Sequence, residues 1–413
     1  MKTTSFSTLA LAMAGFVLLG IGCTDSTLAP DTQNQTGQLK VPAAFADQTN
    51  RFAFDFAKRI SQKEGAATNT FVSPLSLHMA LGMILNGANG QTAQEIQKTL
   101  NLDAQTLSEA NATYQNLIEN LPTVDPRVTL ALANSVWSRN TFPVEPSFQN
   151  LLKQSFRAEI QAEDFTSPAT VGKINGWASQ KTNGRIPKVI DQISDQDVLF
   201  LMNALYFKGD WKTEFKPDQT IDAPFTLTSG GQRTVRMMRL NTTLRRAFKP
   251  TYTAFELPYG AGNYAMTVLL PSQNTSADAL IQSLNGASWT SLQSELTSGT
   301  IDIGLPKFTL SYEIKLNDVL TAMGMPTAFT DRADFTKINA NGGLLLSFVK
   351  QNTFVAVDEK GTEAAAVTTG GISVTSAPLS YLCDRPFVFV IHEKTSGTVL
   401  FVGKIADPTQ TAP

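Results

Sequence analysis

The sequence predicts an α+β fold in a single domain, and three observations predict it. Apolar segments with helical period crowd the first third of the chain, and β-branched and aromatic runs fill most of the last third. After residue 44 no polar stretch is long enough to separate the two. The length of 413 residues would by itself allow two or three domains. The missing linker decides for one.

Composition narrows the function. With 42% hydrophobic and 16% charged residues and a formal charge of -2, the chain is neither disordered, collagenous nor coiled-coil. Without a basic run it lacks the footprint that nucleic-acid binding requires, so no DNA or RNA partner is expected. Two His and two Cys leave few general bases, thiol nucleophiles or soft metal ligands. No cofactor and no metal are expected.

In chain order, Lys2 and the apolar run 9–21 have the length of a signal-peptide core, too short to span a bilayer. Export is predicted. The run ends Leu19-Gly20-Ile21-Gly22-Cys23, which resembles a bacterial lipoprotein box with Gly20 where Leu is usual. The resemblance implies acylation of Cys23 and anchoring to a membrane facing the periplasm or cell surface. Ordinary signal cleavage with an unmodified Cys23, hence an extracellular protein, is the alternative, and a Cys23 to Cys383 disulfide is a third reading. Residues 1–22 are thus a leader, 23–44 a polar tether, 45–408 the domain and 409–413 a tail. Phe52, Phe56 and Ile60 predict a helix over 50–62, and Ser73-Pro74 predicts the start of another over 76–85. Strands are predicted over 128–137, 198–207, 254–257, 264–270, 300–305, 344–357 and 386–391.

Read together, these segments resemble the serpin family. The resemblance begins with Asn69-Thr70-Phe71-Val72-Ser73-Pro74-Leu75-Ser76, then Gly87-Ala88 and Thr92. It continues through Ala133-Asn134, Ile174-Asn175-Gly176-Trp177 and the Thr182, Gly184, Ile186 spacing. The run from Asn203 to Trp211, with Phe215, follows the family's central signature almost residue for residue. Leu257-Pro258-Tyr259, Leu270-Pro271, Leu305-Pro306-Lys307-Phe308 and Met323-Gly324-Met325 come next. Arg385-Pro386-Phe387, Phe401-Val402-Gly403-Lys404 and Asp407-Pro408 close the series. The resemblance implies three β-sheets, about eight or nine helices and an exposed reactive loop at about 359–384. It also implies that Ser73, Ser76, Asn203, Trp211 and Gln351 surround the place where the main sheet parts. The family often has His where Gln351 stands; Gln offers both a donor and an acceptor. Trp211 and Phe215 are expected in the core, His78 as a satisfied buried side chain, and His392 without a catalytic partner.

The serpin hinge is matched by Glu359, Gly361, Thr362, Glu363, Ala364, Ala365, Ala366, Val367 and Thr368, and 364–383 carries no charge. Loops beyond about 12 to 15 residues are uncommon unless they have a function. As a strand, this loop would place Thr362, Ala364, Ala366, Thr368, Gly370, Ile372 and Val374 on one face, all uncharged and mostly small. Glu363 falls on the other face, and no proline intervenes before Pro378. The segment can enter a sheet. About fourteen residues doing so would gain on the order of 10 to 20 kcal/mol in ladder hydrogen bonds, comparable with the stability of a whole domain.

Family spacing counted forward from Glu359 and backward from Pro386 converges on the bond between Thr375 and Ser376. Ile372, Ser373, Val374 and Ala377 would flank it in a protease cleft. No Lys or Arg lies near, which disfavours trypsin-like targets. Thr375 suits elastase-like or subtilisin-like pockets, and Val374 suits papain-like ones. The resemblance implies a monomeric suicide inhibitor that forms a 1:1 covalent complex. A non-inhibitory member acting as a surface carrier or scaffold is the alternative, and an exported hydrolase a more distant one.

Overall fold

Phe45, Phe52, Phe56 and Ile60 share one stripe of helix α1 (Ala43–Glu64) and are all buried. The computed structural model describes residues 39–102, 105–362 and 380–410. The tether does not extend through residue 44 as expected. Leu39 and Val41 pack against the core, the Lys40 N–H donates to Asn116 Oδ1 at 2.8 Å, and α1 begins at Ala43.

Strand β1 (Thr70–Val72) leads into α2 (Pro74–Gly87), whose start is set by Ser73. The Ser73 hydroxyl accepts from the Ser76 N–H, and Pro74 occupies the first turn, where no donor is missed. Next come α3 (Gly90–Thr99) and α4 (Leu107–Asn120), the latter opened by a reciprocal Thr106 and Glu109 capping box. The middle of the chain holds β2 (Val128–Arg139), α5 (Pro146–Phe156), β3 (Glu159–Glu163), α6 (Pro168–Lys181) and β4 (Leu199–Asp210). After these come β5 (Ile221–Thr226), β6 (Gln232–Phe248), β7 (Tyr252–Tyr259), β8 (Tyr264–Pro271), α7 (Ala277–Ser283) and α8 (Gly286–Glu295). The last part comprises β9 (Thr297–Pro306), β10 (Phe308–Lys315), α9 (Asn317–Met323), β11 (Lys350–Val357), β12 (Gly361–Thr362), β13 (Ser380–Leu382), β14 (Phe387–Glu393) and β15 (Val399–Ile405).

Among the described residues hydrogen bonds join these strands into two sheets. One has the order β10-β11-β12-β4-β2-β3; the other runs β1-β15-β14-β8-β7-β6-β9-β13, with β5 also on β6. Two of the three expected sheets are continuous because β6 serves both. Its residues from Met237 to Arg246 pair with β9, and those from Arg245 to Phe248 pair with β7. β6 is the longest strand, and its five arginines hid it from a search for apolar runs. The expected strand over 344–357 begins only at Lys350. Upstream, the Leu346 N–H bonds the Ala328 carbonyl and the Val349 N–H bonds Asn317 Oδ1, so that backbone is committed elsewhere.

The main core lies between the two sheets and beneath α1 and α2. A separate cluster of Trp137, Phe165, Ile174, Trp177, Ala178, Ile190, Phe200 and Ala204 seats α6 on the outer face of the six-stranded sheet. No described helix is long and apolar enough to cross a membrane.

Candidate functional site

The hinge is built from a tight turn that five side chains hold. Asp358 Oδ1 accepts from the Lys360 N–H at 2.9 Å and the Gly361 N–H at 3.3 Å, and the Asp358 N–H bonds the Gly361 carbonyl. Burial raises the Asp358 carboxyl, and those two N–H groups pull it partly back. Burial also pushes Glu359 upward, but Lys307 Nζ at 2.7 Å and the Thr220 hydroxyl at 2.8 Å outweigh it and hold the carboxyl below its ordinary range. Trp211 Nε1 donates to the Asp358 carbonyl at 3.0 Å, and the N–H groups of Trp211 and Phe215 bond the carbonyls of Lys360 and Glu359.

This turn delivers Gly361 and Thr362 into the six-stranded sheet. Thr362 pairs with Val357 of β11 on one side and Gly209 of β4 on the other. Gly361 fits because a Cβ there would strike the Gly209 carbonyl oxygen. Thr362 is 2% exposed, and its hydroxyl shares a 2.6 Å hydrogen bond with Tyr259 OH, whose ring stacks on Trp211 at 4.4 Å. Burial keeps the Tyr259 phenol protonated far above its ordinary range.

Beyond Thr362 the sheet lacks a described strand. β4 pairs with β2 along one edge, but on the other edge its residues 199–208 have no ladder partner among the described residues. β11 is likewise paired with β10 on one side and, apart from Val357, has no ladder partner on the other among the described residues. The stretch of β4 without a described partner is ten residues long. Continuing the register of Thr362 opposite Gly209 would set residues 363–372 against it. At its far end lies a cavity of about 450 Å³ lined by Leu199, Phe200, Leu201, Asn203, Gln351 and Ser76, among others.

A chain of buried and half-buried polar groups runs beneath the sheet from β11 to β2. Gln351 of β11 accepts from the Ser73 N–H at 2.9 Å and donates to the Ser73 carbonyl at 2.8 Å, using both ends of its amide. The Ser73 hydroxyl donates to the Leu400 carbonyl, and the Ser76 hydroxyl donates to Asn203 Oδ1 on β4. Asn203 Nδ2 then donates to Asn134 Oδ1 of β2 at 2.6 Å, and Asn134 Nδ2 to the Phe156 carbonyl at 2.7 Å. Gln351, Ser73, Ser76 and Asn203 are thus joined in one network beneath the sheet, whereas Trp211 sits against the hinge turn beyond the other end of β4.

At the two ends of the expected loop 359–384 the described residues are ordered into the fold. Glu359 is anchored, Gly361 and Thr362 are strand, and Ser380–Leu382 is β13. Glu363, Ala364, Ala365, Ala366, Val367, Thr368, Ile372, Ser373, Val374, Thr375, Ser376 and Ala377 lie outside the described residues, as does Cys23. Cys383 is buried, without a disulfide partner among the described residues, and burial raises its pKa. His78 is fully buried between the Tyr114 hydroxyl (2.8 Å) and the Leu100 carbonyl (3.0 Å), and burial drops its pKa to about 4. His392 is buried against Trp289 and the Thr267 hydroxyl, with its pKa also lowered by burial to about 4. Sequence reasoning passed over Tyr259, Lys307 and Thr220 as site residues. The first two stood in recognised motifs, whereas nothing marked Thr220.

The architecture is an α+β fold whose six-stranded sheet takes up the short hinge strand β12 between β11 and β4. The family model described as "Serpin (serine protease inhibitor)" matches residues 47–408. The chain belongs to the serpin family. It is 33% identical over 387 residues to Ipis-1 of Ixodes persulcatus, covering 88% of this chain and 99% of the relative. It is 32% identical to the leukocyte elastase inhibitor of Xenopus laevis, covering 86% and 97%. Among solved structures, the thermophilic serpin tengpin in its native state superposes with a TM-score of 0.82 at 30% identity, covering 89% and 95%. Human thyroxine-binding globulin complexed with its ligand superposes with 0.81 at 26% identity, covering 89% and 100%.

Proposed function

We propose that this chain is a suicide inhibitor of endopeptidases. The protease nucleophile attacks the Thr375 carbonyl, the peptide bond to Ser376 breaks, and the Ser376 amine leaves with a proton from the protease's own acid. The Thr375 acyl-enzyme is then carried along as residues 363–372 enter the gap beside β4, and the catalytic site is distorted before water can release it. The observation that carries this reading is the ten-residue edge of β4 left without a described partner next to an already inserted Thr362. Insertion races deacylation, so the native state must be kinetically secure.

Thr375 fits elastase-like and subtilisin-like pockets, and a relative of this chain is a leukocyte elastase inhibitor; Val374 extends the range to papain-like enzymes. Export with lipid attachment at Cys23 would place a monomeric inhibitor at a bacterial membrane. Incubation with pancreatic elastase, subtilisin and papain, followed by denaturing gel electrophoresis, tests the reading. A band at the summed mass is expected. Clean loop cleavage by all three without that band would favour a carrier, the reading that the thyroxine-bound neighbour supports.

A further inference from the structure

We propose that Phe248, Tyr381 and Arg246 form a docking surface for the body of the target protease, met by an apolar protease loop that carries a carboxylate. This inference rests on the inhibitory reading above and adds a specificity determinant outside the reactive loop.

Among the described residues three large hydrophobic side chains are exposed, Ile221, Phe248 and Leu345, and Phe248 is the most exposed at 53%. A single exposed hydrophobe is ordinary. Phe248, however, belongs to a cluster: its ring lies 5.3 Å from that of Tyr381, and the Arg246 guanidinium sits 5.3 Å over its centroid. Aromatic residues and Arg are the side chains that most often anchor interfaces. The charge pattern specifies the partner further. Neighbouring Arg245 is neutralised by Glu256 and Lys249 by Glu295, whereas Arg246 has no carboxylate partner among the described residues. Among the described residues its side chain donates to the Thr300 carbonyl, at 3.4 Å. The patch therefore presents an apolar ring capped by an uncompensated cation.

Its position selects the occupant. Tyr381 is the second residue of β13, five residues beyond Ser376, so the chain can separate it from the reactive bond by at most about 18 Å. A protease domain of about 240 residues has a radius of gyration near 18 Å, hence a diameter of about 45 Å. An enzyme seated on Thr375 spans that separation. Strands β6 and β13, both hydrogen-bonded to β9, fix the patch in advance of docking, so little ordering entropy is lost when it is covered.

Phe248→Ser and Phe248→Trp separate this surface from the loop chemistry. Affinity is measured for elastase, subtilisin and papain whose nucleophile is replaced by alanine, together with the rate of covalent complex formation by the active enzymes. For at least one protease, Phe248→Ser should weaken affinity and slow complex formation about ten- to thirtyfold. Stoichiometry and melting temperature should stay unchanged, and Phe248→Trp should restore the rate. Equal rates and affinities for Phe248→Ser and the parent with every protease would overturn the surface and leave inhibition standing. If the parent forms no covalent complex with any of the three, the inhibitory reading fails. The non-covalent affinities then still decide the surface: loss on Phe248→Ser keeps it, and equal or absent binding removes it.

Discussion

The Thr362 hydroxyl and the Tyr259 phenol share a 2.6 Å hydrogen bond inside the molecule, 103 residues apart in sequence. Thr362 is the first of the alternating residues that the sequence suits for burial in a sheet, and it is already there. The bond holds the hinge at the mouth of the gap, with Trp211 stacked behind Tyr259 and tied to the Asp358 carbonyl.

Replacing Tyr259 by Phe leaves the buried Thr362 hydroxyl without its partner while keeping the stack on Trp211. The native state should lose about 1 to 3 kcal/mol, read as an earlier midpoint of the first urea transition. No change in midpoint would mean that the hydroxyls do not hold the hinge.

Loop entry should be blocked by charge or by a missing ladder donor. Thr362→Arg puts a cation into a buried site, and Ala366→Pro removes an N–H from the incoming strand. Both variants should be cleaved as substrates and yield little covalent complex. Complex yields equal to the parent's would count against insertion as the trapping step.

Gln351 satisfies both backbone groups of Ser73 with one amide. Gln351→Leu orphans a buried N–H and a buried carbonyl at once, a loss of about 2 to 6 kcal/mol. The variant should open the sheet more readily, detectable as faster hydrogen exchange in β4 and β11. Unaltered exchange there would place the grip on the sheet elsewhere.

Stability should fall on acidification, and the sign is set by which state binds protons more tightly. His78 and His392 have pKa values of about 4 in the native protein against an ordinary 6.5, so the unfolded chain gains protons first. Their contribution is complete above pH 6.5 and is lost between pH 6.5 and 4, on the order of 3 kcal/mol per histidine. Glu359, held low by Lys307 and Thr220 against burial, adds a loss below its ordinary range as pH falls through its native value. Denaturant midpoints from about pH 7 to 4 should drop, and His78→Gln should shallow the slope. A profile that stays flat on acidification would contradict the burial of both rings.

In the proposed mechanism, cleavage between Thr375 and Ser376 would let residues 363–372 pair along β4. By calorimetry the clipped form should melt well above the intact one. A clipped form that melts no higher would remove the driving force on which the proposed mechanism depends.

Much of the fold was legible before any coordinates. The Ser73-Pro74 pair announced the start of α2, and the polar Ser76 and Asn203 inside apolar runs announced a need for partners, because such runs tolerate polar residues only when they are paired. Strand β6 was hidden by its arginines, and 344–349 read as strand because composition does not reveal where a backbone finds its hydrogen bonds. Lys307 and Thr220 became site residues only when β10's approach and the turn before β5 carried them to Glu359.

The character of the hinge resides in the amino-acid order alone: an uncharged, proline-free, small-residue alternation of period two is a local property, and it suits a strand wherever the strand is placed. Where that hinge enters the sheet, and what holds it there, emerged only from the folded molecule. The Thr362 register opposite Gly209 and the Tyr259 bond both depend on groups more than a hundred residues apart, and their meeting is set by the packing of whole sheets.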